Sequence, residues 1–150
     1  MNFKKEISEK LNNLLQNNLN THEVYEKAYK NSSNTELHAF FKHKMEQRSK
    51  FIEELRTEIL QYGQIPEENP NFSTTLKTTW LDFKNLFSKD NQESMLEACL
   101  EADKNALEDY KELAKERDLP PTIDTIIANH TNQIQNAINK DKMYLKTTAI

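Results

Sequence analysis

Apolar residues return every three or four positions along most of the chain, the spacing of one face of an α-helix. Five helical segments follow from that spacing and its punctuation. The first runs from Phe3 to Lys30 on Ile7, Leu11, Leu14, Leu15, Tyr25, Ala28 and Tyr29. Asn31 to Asn34 ends it, and Ser33 with Glu36 forms a capping-box pattern for the next helix. The second runs from Thr35 to Tyr62 on Leu37, Phe41, Met45, Phe51, Ile52, Leu55 and Ile59. Gly63 then stands where a helix end wants a positive φ. After a loop with Pro66 and Pro70, a shorter helix is expected from Ser73 to Phe87, carrying Leu76, Trp80, Phe83, Leu86 and Phe87. The fourth segment runs from Gln92 to Arg117 on Leu96, Cys99, Ala106, Leu107, Tyr110 and Ala114. The last begins near Pro121, where a proline in the first turn is tolerated, and runs to Lys146 on Ile123, Ile127, Ile134, Ala137, Ile138 and Leu145.

The short linker between the first two segments makes them antiparallel neighbours, and the last two form a second hairpin. A connector as long as Gly63 to Asn91 can return along the bundle. The expected fold is therefore all-α: a ferritin-like four-helix bundle with one long crossover carrying an extra short helix, the whole of residues 1–150 forming one domain. A single glycine and four prolines agree, since sandwiches and barrels need many more turns. The net charge of −4 gives no basic footprint, so no nucleic-acid partner is expected. The N-terminus leads into a polar helix, and no apolar run approaches the roughly 18 residues of a membrane span. Cys99 is the only cysteine, which excludes an intrachain disulfide and fits a cytoplasmic location.

Bundles of this order often hold two metals, using a Glu from each of two helices and Glu-x-x-His from each of the others. No Glu-x-x-His occurs here. Its reverse, His43 to Glu46, puts Glu46 almost opposite its own apolar stripe, with His43 also far off it. Glu97, Glu101 and Glu108 read as a solvated face. The polar residues inside the stripes are Asn18, His22, Arg48, Asp103, His130 and Asp141, with Lys44 marginal. By helix midpoints, Asn18, Arg48 and Asp103 share one middle layer, with Asp103 its single carboxylate.

A guanidinium there repels cations and pairs with Asp103, with Asn18 and Gln133 as hydrogen-bond partners. The competing reading has Arg48 extending outward along its helix and Asp103 meeting water in a groove. His22 and His130 read as hydrogen-bonded core histidines, at heights that put them well over about 10 Å apart. His38 and His43 are expected at the surface. Cys99 reads as a buried small hydrophobe and not a reactive thiolate. No nucleophile elbow or phosphate loop is present in the sequence. Trp80, Phe83 and Phe87 are the candidate partner surface if incompletely covered.

Several stretches resemble a bacterial family of ferritin-like four-helix-bundle proteins of unknown function. They are Tyr25 to Ala28, Phe41 through Arg48 to Leu55, Trp80 to Leu86, and Cys99 through Asp103 to Tyr110. Glu is more usual in that family at Asp103, and Thr21 and Val24 stand where it is expected to have glycine. The resemblance implies the fold and a loose kinship with rubrerythrin-like and bacterioferritin-like proteins. It imports no ligands and no activity. The leading expectation is a non-enzymatic, metal-free bundle in protein interaction or stress response, with a homodimer as one form. The alternative is an atypical iron or manganese site drawing on His22, Glu26, Glu46, Asp103 and His130.

Overall fold

A computed structural model describes residues 3–67, 92–116 and 118–148. Four helices make up the described residues: α1 (Phe3–Asn31), α2 (Thr35–Gln61), α3 (Gln92–Ala114) and α4 (Pro121–Thr148). No strand occurs among them. The short helix expected from Ser73 to Phe87, with Trp80, Phe83 and Phe87, lies outside the described residues.

The helices pack as a bundle in which α1 touches α2 and α3, and α4 touches the same two. Cross-helix contacts give the directions. Tyr29 stacks on His38 at one end of the α1–α2 pair, while Asn12 meets Ile65 and Glu67 at the other, so these helices are antiparallel. Asn17 meets Asp109 and Tyr25 meets Asp103, so α3 is also antiparallel to α1. Glu36 with Tyr144 and Glu58 with Thr122 make α4 antiparallel to α2. It follows that α2 and α3 run in the same direction on opposite corners. Gly63 and Gln92 therefore stand at opposite ends of the bundle, which no tight hairpin could join.

The start of α2 differs in one respect from the capping-box expectation. Asn34 is the N-cap, in extended backbone, and its Oδ1 accepts from the Leu37 N–H at 3.0 Å. Ser33 is exposed and takes no part. An Asn side chain reaches the N3 amide from the residue directly before the helix, and Ser33 lies one position too far back. Gly63 takes φ +73 after the last turn, as expected of that position. The third helix ends at Ala114, three residues short of the expectation, in tight turns from Lys115 to Glu112 and Glu116 to Leu113. Ala114 is exposed and Leu113 takes the inward place.

Apolar packing falls into two clusters. One joins Ile7, Leu11, Leu15, Phe51, Leu55, Tyr110, Ile127 and Ile134 with their neighbours, and draws on all four helices. The other joins Val24, Tyr25, Leu37, Phe41, Leu96 and Ala102. Burying each such side chain contributes about 1.5–3 kcal/mol against leaving it in water. Between the two clusters lie the polar stripe residues, and this boundary is where the candidate site sits.

Asn34→Ala is expected to cost about 1 kcal/mol of stability in urea titrations, whereas Ser33→Ala leaves the midpoint unchanged. Equal losses for the two would mean that the cap is misassigned.

Candidate functional site

Each helix delivers polar groups to this boundary because its inward stripe is interrupted there. On α2 the inward positions run Leu37, Phe41, Lys44, Arg48, Phe51, Leu55, with alternating steps of four and three. Lys44 and Arg48 thus occupy places that apolar residues fill above and below. They are as enclosed as their neighbours: Lys44 is 2% exposed and Arg48 0%. On α3, Asp103 follows Leu96 and Cys99 in the same way, and on α4 Asp141 follows Ile134 and Ile138. Both carboxyl groups are fully buried.

Asp103 is the hub. Its Oδ1 accepts from Arg48 Nη2 at 2.8 Å and from the Tyr25 hydroxyl. Its Oδ2 accepts from Lys44 Nζ at 2.6 Å. Lys44 Nζ also stands 2.9 Å from Asp141 Oδ1, and a hydrogen bond joins the Asp141 and Asp103 carboxyl groups. The aromatic rings of Tyr25 and Phe40 lie 4.8 and 5.1 Å from the ammonium, and that of Phe51 5.6 Å from the guanidinium. Such faces favour a cation that has lost its water.

From Arg48 the network continues toward the larger apolar cluster. Nη1 donates to Asn18 Oδ1 at 2.6 Å, and Asn18 Nδ2 donates to the Leu14 carbonyl and the Tyr110 hydroxyl, both at 2.9 Å. Tyr110 stands 2.7 Å from His130 Nδ1, and His130 Nε2 stands 3.3 Å from Glu54 Oε1. With Tyr110 already accepting from Asn18, its proton goes to Nδ1, and the imidazole donates through Nε2 to Glu54. The His130 ring stacks on Phe51 with centroids 3.8 Å apart. Side chains from all four helices thus form one connected path, which among the described residues Glu54 brings toward solvent.

Burial and neighbouring charge set the protonation states. Burial alone would raise the Asp103 carboxyl, but the Lys44 ammonium and Arg48 guanidinium outweigh it and hold it well below the usual range. Burial likewise works against the charged forms of Lys44 and Arg48. The anionic partners prevail, Asp103 foremost for Lys44, and both stay protonated. Asp141 moves the other way. Burial first, then the charge of Asp103, pushes it up to about 9, so the two carboxyl groups hold one negative charge between them at neutral pH. Burial and the nearby Arg48 push His130 down to about 3, so it is neutral. Burial also raises the Cys99 thiol, and the side chain is fully enclosed.

The structure brings Asn18, Arg48 and Asp103 together, but not in one layer. Asn18 is level with Tyr110, and Asp103 with Tyr25, two helical turns away along α1. The guanidinium bridges both levels. Asp103 is the midpoint of α3, so the levels are set by how the helices are offset along the bundle and not by their midpoints. Arg48 does not extend to the surface, and Asp103 meets no groove. Gln133 does not join the pair; it bonds Gln47 and Asn129 on the outer side. Lys44, marginal by angle, is central, and Asp141 sits beside Asp103 and not a layer away. The four-three alternation through Lys44 was the signal that could have placed it.

The residues of the alternative metal set do not converge. Asp103 is surrounded by cationic donors, Glu26 pairs with Lys30 at 2.9 Å, Glu46 is exposed, and His22 is half-buried near Glu26. His130 is engaged by Tyr110 and Glu54. Among the described residues, no three His, Cys, Asp or Glu side chains stand close enough to hold a metal ion. A two-metal cluster needs several anionic oxygens facing it, and here two cations occupy that space, so these residues do not fit one. His38, expected at the surface, is half-buried against Tyr29, and His43 is exposed. No described helix is long and apolar enough to cross a membrane.

A bundle of four helices with a charged, hydrogen-bonded centre is thus what the described residues define. Residues 6–116 match the family described as a domain of unknown function, DUF2383, and the chain belongs to that family. The match covers α1, α2 and α3, and so Tyr25, Lys44, Arg48 and Asp103, while Asp141 and His130 lie beyond it. No curated protein and no solved structure matches the chain.

Asp141 has a folded pKa above its unfolded one, so the folded state loses stability as pH rises between those two values. His130 has a lowered one, so stability is lost as pH falls below about 6.5. The two oppose each other in mild acid. Between pH 7 and 8, below the ordinary thiol range in which buried Cys99 adds its own loss, Asp141 acts, and stability is expected to fall with a slope of up to about 1.4 kcal/mol per unit. Asp141→Asn should flatten that slope in urea titrations; an unchanged slope would show that Asp141 ionises normally.

Proposed function

We propose that the chain is a single-domain, ferritin-like bundle that performs no metal chemistry and works through its surface, as a cytoplasmic protein of interaction or stress response. The observation that carries this reading is the saturation of Asp103. Its two oxygens take three donors, two of them from permanent or near-permanent cations buried at the bundle centre. A divalent ion entering there would have to displace Lys44 and Arg48 from the one ionised carboxylate and then face their charge in a medium that screens it poorly. The ferritin-like part of the reading rests on the parallel run of α2 and α3, the order expected when one long crossover joins two hairpins. The single, enclosed cysteine supports the cytoplasmic part. A surface role is favoured because the titratable groups at the centre are engaged with one another, and among the described residues Glu54 leads outward. A homodimer is compatible with this role.

The test is metal analysis of the purified full chain after exposure to Fe²⁺ or Mn²⁺ and removal of free metal. The expected content is far below one ion per chain. Stoichiometric metal that disappears on Asp103→Ala would overturn the reading in favour of a metal-binding protein.

A further inference from the structure

The geometry points to Lys44 and Asp103 as the two ends of an intramolecular amide: the centre is arranged to condense them, forming an Nζ–Cγ bond between α2 and α3 and releasing water. This does not depend on the ferritin-like reading. Three features go beyond what an ordinary ion pair needs. Lys44 Nζ lies 2.6 Å from Asp103 Oδ2, reaching across the bundle centre from α2 to the diagonal α3, and both side chains are fully or almost fully buried. Holding the amine beside the carboxyl group replaces an encounter in water, the source of high effective molarity in intramolecular reactions. The other carboxylate oxygen, Oδ1, is gripped by Arg48 Nη2 and the Tyr25 hydroxyl. That is where negative charge develops when an amine adds to Cγ, and donors already in place stabilise it. Finally, a second carboxyl, Asp141, stands 2.9 Å from the same Nζ and is hydrogen-bonded to Asp103, which places it to pass protons between the two.

The step balances within these side chains. Asp141 enters protonated, gives its proton to Asp103 Oδ2 and takes one from the Lys44 ammonium. A neutral amine then faces a neutral carboxylic acid. Nζ adds to Cγ, and the oxyanion forms on Oδ1 against Arg48 and Tyr25. Asp141 carries a second proton from nitrogen to Oδ2, which leaves as water, and Asp141 ends as it began. Two buried charges vanish into an amide. When Asp141 then ionises, Arg48 has it as counter-charge and the centre is neutral, where the precursor carried one excess positive charge. The enclosing rings of Tyr25 and Phe40 keep water from reversing the bond. The ion-paired centre is the precursor, and chain that still has the full sequence mass reports on it.

The experiment is intact mass spectrometry under denaturing conditions, on the purified full chain sampled through a prolonged incubation at mildly alkaline pH. A species about 18 Da lighter than the sequence mass is expected to accumulate, with tryptic cleavage after Lys44 lost and a branched peptide joining Lys44 to Asp103. Lys44→Arg should keep the full mass. An unchanged mass with cleavage after Lys44 throughout would overturn the proposal. So would a loss of water that persists in Lys44→Arg, which marks a succinimide elsewhere, or a branch mapped to Asp141.

Discussion

The Asp103 carboxylate, held between Lys44 and Arg48, is the constraint on which the bundle centre depends. Two cations on one helix, one turn apart, are fully or almost fully buried. Such an arrangement survives only if an anion is fixed opposite them, and α3 supplies it at one position. Everything adjacent is then obliged. Tyr25 and Asn18 on α1 supply the remaining hydrogen bonds, and Asp141 on α4 must stay protonated because the first carboxylate is already charged. A slip of any helix by one turn would leave a buried charge without its partner, at a cost of several kcal/mol. Apolar packing alone tolerates such slips far better, so the network is suited to setting register among four similar helices.

The same constraint decides the chemistry of the interior. Some four-helix bundles gather carboxylates around metal cations. Here the cations are side chains, covalently part of α2, and they hold the carboxylate in saturated geometry. The path through Tyr110 and His130 to Glu54 extends the polar centre toward one face, with the imidazole neutral and stacked on Phe51.

Much of this architecture was legible in the chain. The three-and-four spacing gave the four described helices to within a few residues, and the long connector implied that α2 and α3 run the same way. Arg48 and Asp103 were legible because each interrupts an otherwise apolar stripe. Lys44 was harder to place, since a lysine near a stripe edge more often reaches outward along its helix. Its burial depends on Asp103 and Asp141, two partners distant in sequence. Asp141 itself was visible on its stripe but not its height, because height depends on how antiparallel helices are offset, which no stripe records. The cap at Asn34 was misread for a local reason: adjacent Ser and Asn residues both suit the position, and only backbone geometry chooses between them.

The central claim is that Arg48 and Asp103 form one energetically coupled buried unit. A double-mutant cycle measures this directly, using urea unfolding of the parent chain, Arg48→Met, Asp103→Leu and the double variant, each at its full sequence mass. Each single change is expected to cost about 3–5 kcal/mol, because it strands the partner charge. The double change should cost at least about 1 kcal/mol less than the sum of the two. Single losses that add to within about 0.5 kcal/mol would contradict the account.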